Sequence, residues 1–221
     1  EQQAFGVERS KRAKIFNEAL EILRACWMNE TVTFHGEHFH YDNVTVLPKP
    51  SQQPPEVWLG GIADSELRRV GRLADGWLPS FVTPDDAAHG WQTVTRIADE
   101  HNREIDPEHF GVLLPYTTGP TSPHLLAGLK ARRPDLDDVS ILVPSGWDAL
   151  RASIESFVSK GASKFVIVPF TEPQSREEWN DHLGSAAEHL MSLQNWRIHY
   201  FFFDVAGFLN WAQKSISKRV P

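Results

Sequence analysis

The sequence predicts an α/β fold, and three observations carry that prediction. Short apolar runs alternate with amphipathic stretches from Glu56 onward. Each gap between runs is long enough for a crossover helix, which parallel strands require. With 41% hydrophobic and 23% charged residues, the 221-residue chain also has the composition of one packed domain. Two parallel architectures compete, an open doubly wound sheet and a closed (β/α)8 barrel. A complete barrel takes about 250 residues and eight strands, whereas the sequence offers four convincing βα units. The expectation is half a barrel or a small open sheet.

The elements follow in order. Residues 12–27 place Ile15, Phe16, Ala19, Leu20, Ile22, Leu23 and Trp27 on one helical face, with Lys14, Glu18, Glu21 and Arg24 on the other. Thr31–His35 and His38–Tyr41 are short β-type runs joined at Gly36, so a hairpin is expected within 31–46. A stiff link follows through Pro48, Pro50, Pro54 and Pro55. Val57–Leu59 is a strand that ends at Gly60 and Gly61, and Ser65–Leu73 a helix. Gly76–Leu78 is a strand ending at Pro79, followed by a helix over Asp85–Asn102. Phe110–Tyr116 is the third strand, and its long Pro-containing connection holds one short helix. A helix over Trp147–Lys160, a fourth strand at Lys164–Pro169 and a helix over Ser175–Leu193 complete the pattern.

Charge and cysteine content narrow the function classes. A net charge of -7 opposes general attraction to nucleic acid or anionic membrane, which favours a small-molecule partner. The single Cys26 lies among apolar helical positions and cannot form an internal disulfide, so a buried inert thiol in a reducing cytoplasm is expected. No apolar run is long enough to span a bilayer. The chain starts at Glu1 rather than Met, and the expectation is that it begins inside a longer gene product.

Several residue groups could carry chemistry. Gly60 and Gly61 end a strand and lead through Ile62, Ala63 and Asp64 into a helix, so a ligand can approach the backbone closely at a positive dipole end suited to phosphate. A tight turn is the plainer reading of the same pair, and neither a GxGxxG fingerprint nor a Walker sequence is present. Trp77 is large enough to wall a planar ligand, with simple core packing as the alternative. His38 and His40 would share a strand face near His35, but Glu37 alternates away from His38 and no zinc spacing occurs, so no metal site is expected. Arg132, Arg133 and Lys164 could meet an anion or merely solvate a surface. Ser145 reads as a helix cap and has no GxSxG elbow around it.

The order of motifs then becomes recognisable. Residues 18–27 (EALEILRACW), 34–39 (FHGEHF), 47–50 (LPKP), 57–61 (VWLGG), 67–69 (LRR) and 74–77 (ADGW) together resemble the luciferase-like monooxygenase family. More narrowly they are similar to its actinobacterial branch that uses the deazaflavin coenzyme F-420. Residues 148–151 (DALR) and 161–169 (GASKFVIVP) support that branch. The resemblance covers roughly residues 5–194. It implies a TIM barrel of which this chain carries the C-terminal half, about four parallel strands with helices plus the hairpin insertion, in a domain over residues 1–195.

The resemblance also implies cofactor-binding residues: the phosphate lies near Gly60 and Gly61, with Ile62 and Ala63 standing where relatives commonly have Asn-Ser, and with Trp77 at the mouth of the next strand. Asp64 would bring a negative charge close to that phosphate. Relatives take much of their ring contact and their acid/base groups from the first four strands, so no catalytic residue is assigned here. The implied reaction is hydride transfer between coenzyme F-420 and an organic substrate. An FMN-dependent monooxygenase is the alternative, and a non-catalytic half-barrel that binds a flavin or assembles with a partner is the alternative of another class. The segment 196–221 matches nothing in the family. Tyr200–Phe203 and the helical spacing of Val205, Phe208, Leu209, Ala212 and Ile216 predict an extended run leading into an amphipathic helix. That segment is expected to cover exposed barrel surface, within the chain or across a homodimer, with membrane anchoring as the lesser alternative.

Overall fold

The computed structural model describes residues 8–52, 54–171 and 173–194, so the predicted tail over 196–221 lies outside the described residues. Helix α1 (Arg12–Met28) comes first, followed by an antiparallel hairpin of β1 (Val32–His35) and β2 (His40–Val44). Then come β3 (Trp58–Leu59), α2 (Asp64–Leu73), β4 (Gly76–Trp77), α3 (Pro84–Glu100), β5 (Gly111–Tyr116), α4 (Pro123–Arg132), α5 (Trp147–Ser159) and β6 (Lys164–Pro169). Helix α6 (Arg176–Leu190) belongs to a second compact unit that starts at residue 172. No described helix is long and apolar enough to cross a membrane.

Strands β3 and β4 pair in parallel, as do β5 and β6 over six residue pairs. Parallel bridges Trp77–Phe110 and Ser80–Leu113 join β4 to β5, so the four strands run in sequence order. This is the expected βα alternation of a half-barrel. Local chemistry sets the boundaries. Thr83 caps α3 through a reciprocal pair, its hydroxyl accepting from the Asp86 N–H and its own N–H donating to the Asp86 carboxylate, and Pro84 stands where no intrahelical donor is needed. The helix over 147–159 starts at Gly146, whose φ of 84° suits glycine. Ser145 therefore is not the cap. Its hydroxyl donates to the Gly119 carbonyl.

The core lies between the sheet and its helices. Val70, Trp77, Ala87, Val94, Phe110, Val112, Leu114, Leu150 and Phe157 are all buried there. The opposite sheet face is less covered, because β6 alternates and leaves Val166 and Val168 exposed. A smaller core of Leu129, Val139, Leu142 and Val143 packs under Phe81, Leu125 and Leu136. Helix α1 buries only Leu20 fully, and Phe16 and Leu23 of its predicted apolar face remain exposed.

A polar clasp ties the N-terminal ends of the strands. The Asp75 carboxylate accepts from Arg24 at 2.7 Å and from the Val57 N–H at 2.9 Å, and Arg103 lies 3.6 Å away. Arg24 also reaches the Leu73 carbonyl, Arg103 the Gly71 and Ala74 carbonyls, and His109 donates through Nδ1 to the Asp75 carbonyl. One carboxylate thus links α1, the start of β3 and the turn after α2.

Candidate cofactor site

The loop after β3 sits at the C-terminal ends of the strands, where barrel sites are built. Gly61 adopts a φ of 98°, a left-handed conformation that glycine accepts freely. A Cβ placed there would come within 2.5 Å of the Glu66 carboxylate, so the loop is closed tightly over the first turn of α2. Trp77 fixes the loop from below. Its indole N–H donates to the Gly61 carbonyl at 2.9 Å. That carbonyl and the Ile62 N–H belong to one trans peptide and point in opposite directions, so the bond to Trp77 aims the Ile62 N–H up and away from the core.

The Ile62 and Ala63 N–H groups converge on a single oxygen, Oε2 of Glu66, at 3.1 Å each. Two backbone donors aimed at one carboxylate oxygen form an oxyanion seat at a helix start. Glu66, rather than Asp64, is the acidic residue that bears on this seat. Sequence reasoning missed it because the capping signature begins with Ser or Thr, and Ala63 stands at that position. Beside the seat lies a cavity of about 150 Å³ lined by Phe16, Leu59, Gly60, Gly61, Glu66 and Arg69. Arg69 donates to Asn17 at 3.0 Å and lies over the Phe16 ring.

Trp77 takes the packed arrangement that was the alternative to a ligand wall. Its side chain is fully buried, stacked on Phe110 at 5.6 Å, and Phe110 stacks in turn on Trp91 at 4.9 Å. The indole faces the helices because Gly90 of α3 leaves room for it. Its relation to the site is to position the Gly61–Ile62 peptide.

The remaining candidates separate from the loop. Arg133 is buried and pairs with Asp135 at 2.7 Å and Asp86 at 2.9 Å, while also donating to the Phe81 carbonyl. Its hydrogen bonds to the Asp135 and Asp86 carboxylates hold its pKa above the ordinary guanidinium value despite burial. Burial pushes Asp86 up, but bonds from Thr83 and Arg133 outweigh it and hold the carboxyl low. Arg132 lies over the Phe81 ring, and Lys164 donates to the Glu108 carbonyl and lies over Trp58. Cys26 is only partly buried.

The hairpin differs from its expected arrangement. His38 falls in the turn rather than on a strand, because the Glu18 carboxylate accepts from the N–H groups of Glu37, His38 and Phe39 and holds that turn in place. His40 instead pairs with His35 across the ladder. Glu37 does not point away, since its carboxylate lies 3.9 Å from His38 Nε2, and Glu18, Glu37 and His38 cluster within 4.8 Å. The two carboxylates are already engaged. Lys14 pairs with Glu37 at 2.9 Å and holds it low, and burial of Glu18 is outweighed by its three N–H donors.

Comparison with known proteins decides the family. A model of the luciferase-like monooxygenase family matches residues 1–184, most of the chain. The chain belongs to the luciferase-like monooxygenase family. Among curated proteins, an uncharacterized protein of Mycobacterium tuberculosis is 35% identical over 98 residues, covering 44% of this chain and 33% of that protein. A phthiodiolone/phenolphthiodiolone dimycocerosates ketoreductase of the same organism is 31% identical over 106 residues, covering 46% and 28%. The matches thus span about a third of the length of these curated relatives. Among solved structures, an F-420-dependent secondary alcohol dehydrogenase in complex with an F-420–acetone adduct has a TM-score of 0.68 at 16% identity, covering 88% of this chain and 66% of that one. A monooxygenase from Streptomyces bottropensis has a TM-score of 0.63 at 17% identity, covering 86% and 64%. The luciferase-like fold agrees with the predicted C-terminal half of a TIM barrel.

Proposed function

We propose that this chain forms the cofactor-phosphate end of an oxidoreductase that transfers hydride between coenzyme F-420 and an organic substrate. One observation carries the reading: two backbone N–H groups, from Ile62 and Ala63, converge on an oxyanion at the C-terminal end of a barrel strand. The chemistry of the donor set supports the reading, because the two N–H groups that meet the Glu66 carboxylate are of the kind that bind a phosphate oxygen. Gly60 and Gly61 allow close approach, Ile62 and Ala63 supply the donors, and Trp77 holds their peptide in place. When bound, the deazaflavin supplies a carbon that accepts or gives hydride, so the protein's own work is orientation and exclusion of water. Two relatives' names support a carbonyl and secondary-alcohol couple as the substrate class, the ketoreductase and the alcohol dehydrogenase. A monooxygenase on the same scaffold, working with FMN, is the second reading, favoured by the Streptomyces neighbour.

Deazaflavin and FMN differ in absorbance and fluorescence, so spectra of the chain after incubation and desalting with each distinguish the readings. F-420 is expected to remain bound and FMN to wash out. Gly61→Val should weaken F-420 binding at least tenfold with the far-UV circular dichroism unchanged. Equal affinity in the variant removes this loop as the phosphate site.

A further inference from the structure

The chain between β4 and α3 turns at Phe81, which has a φ of 56°. Among the described residues, Asn43 and Asn102 also combine a side chain with positive φ, but asparagine tolerates that region and a bulky phenylalanine is strained in it. A glycine would make this turn freely. Such strain persists only where the surroundings hold it, and residues of this kind gather at ligand clamps and active sites. Arg132, the last residue of α4, and Arg133 after it do the holding. Arg133, buried and paired with Asp86 and Asp135, donates to the Phe81 carbonyl at 3.0 Å. The Arg132 guanidinium lies 4.7 Å from the centre of the Phe81 ring, a cation–π contact. Backbone and ring of one residue are thus fixed separately. The ring also meets Phe170, with centroids 6.4 Å apart. Phe170 directly follows β6, and its N–H donates to the Tyr116 carbonyl at the end of β5 at 2.8 Å. Both phenylalanines therefore stand at the C-terminal ends of strands, the end that carries the Gly60–Ala63 loop and at which barrel enzymes meet their substrates. Phe170 is nevertheless 42% exposed.

We propose that Phe81 and Phe170 form the apolar wall on which the hydrocarbon part of the organic substrate rests, and that Arg133 is a positioning residue that keeps Phe81 in place. This rests on the oxidoreductase reading above and narrows its substrate class to carbonyl compounds and secondary alcohols that carry an extended apolar chain or ring. Two rings at one strand end offer far less than the roughly 800 Å² per partner that a stable protein interface buries, so the occupant is a small molecule. Rings that are already fixed lose little freedom on binding, and affinity then rises with the apolar surface a ligand brings. Arg133 acts only through Phe81.

The experiment titrates the whole chain with straight-chain methyl ketones from butanone to nonanone, by calorimetry, with F-420 present and absent. In wild type, affinity is expected to rise about three- to fourfold with each added methylene until the wall is covered, and the Phe170 ring resonances to shift on binding. Phe170→Ala should flatten that rise to about twofold or less per methylene, with the melting temperature nearly unchanged because the ring is so exposed. Phe81→Gly accepts the turn's conformation and removes the ring, and it should flatten the series in the same way with far-UV circular dichroism unchanged. Arg133→Lys keeps the charge but loses the guanidinium's several bonds. It should flatten the series in the wild-type background and change it no further beside Phe81→Gly. A purely structural arginine would lower the melting temperature and leave the chain-length dependence intact, an outcome that overturns its positioning role. Equal chain-length dependence in wild type and Phe170→Ala, or no ketone binding at all, overturns the wall. F-420 fluorescence in the same samples reports the cofactor separately: failure of F-420 to bind overturns the deazaflavin reading, whereas the ketone series decides the wall by itself.

Discussion

Gly90→Ala probes the contact on which the loop geometry depends. Gly90 lies in α3 over the indole of Trp77, and a Cβ built there falls 2.3 Å from Cη2, 2.9 Å from Cζ2 and 3.1 Å from Cζ3. Relief requires α3 and the ring to part by about 1 Å, yet the ring is stacked on Phe110, which is stacked on Trp91. Overpacking of this kind costs about 1–3 kcal/mol. A displaced indole also loses its bond to the Gly61 carbonyl, for about 1 kcal/mol more. Alanine recovers about 1 kcal/mol of helix propensity. The net expectation is a loss of about 1–3 kcal/mol, or roughly 3–10 °C in melting temperature for a chain of this size. Urea titration and thermal melting by circular dichroism measure it, and the Ile62 amide resonance reports the loop. An unchanged or raised midpoint would refute the reasoning, because it would mean that the indole has room to move.

Three further outcomes are expected. Arg133→Met should lower stability by about 1–2 kcal/mol at neutral pH, since it removes a buried guanidinium's bonds to Asp86, Asp135 and the Phe81 carbonyl while both carboxylates stay in contact with solvent. Asp86 and Asp135 have folded-state pKa values below their ordinary ones, so their contribution is complete above the unfolded carboxyl range near about pH 4 and is lost as pH falls through the depressed values. The gap between wild type and Arg133→Met should therefore narrow in acid, and a gap constant from pH 7 to pH 2.5 in denaturant titrations contradicts the ion-pair account. Zinc should not survive dialysis at the Glu18, Glu37 and His38 cluster, because Lys14 and three backbone N–H groups already hold the carboxylates. Stoichiometric zinc that disappears in a His38→Ala, His40→Ala variant shows otherwise. Truncation after Asn195 is expected to change the size-exclusion volume or cause aggregation, from the apolar spacing of Val205, Phe208, Leu209, Ala212 and Ile216 in the sequence; an unaltered volume and melting temperature would show that the tail covers no apolar surface.

The element order was legible because periodicity and caps agree at most boundaries. Thr83 with Pro84, and Ser175 before its acidic first turn, mark helix starts that the structure repeats within a residue or two. The 3-10 turns at Pro107–His109 and Val139–Leu142 went unseen, since three or four residues carry no period. At the site, the glycine pair announced its own place but the acid beside it did not. Glu66 looks like any exposed helical glutamate until its hydrogen bonds are known. Trp77 is ambiguous in sequence for a similar reason: an indole at a strand end can face a ligand or pack on a helix, and the room that Gly90 leaves for the ring is invisible without the fold. The Glu18 contact with the hairpin turn spans some twenty positions, beyond any local pattern.

The Asp75 clasp has a bearing on how such a protein can change over time. It gathers α1, the first residues of β3 and the start of β5 at one end of the strands, through side chains that take no part in the Gly60–Ala63 loop at the other end. Mutational drift in the loops can therefore alter ligand preference with little effect on the scaffold's integrity, because the groups that anchor the strands lie away from those that meet the ligand. A lineage built this way can sample new specificities one loop at a time. Loss of the single aspartate at position 75 would remove that freedom, since every later loop change would then begin from a weakened frame.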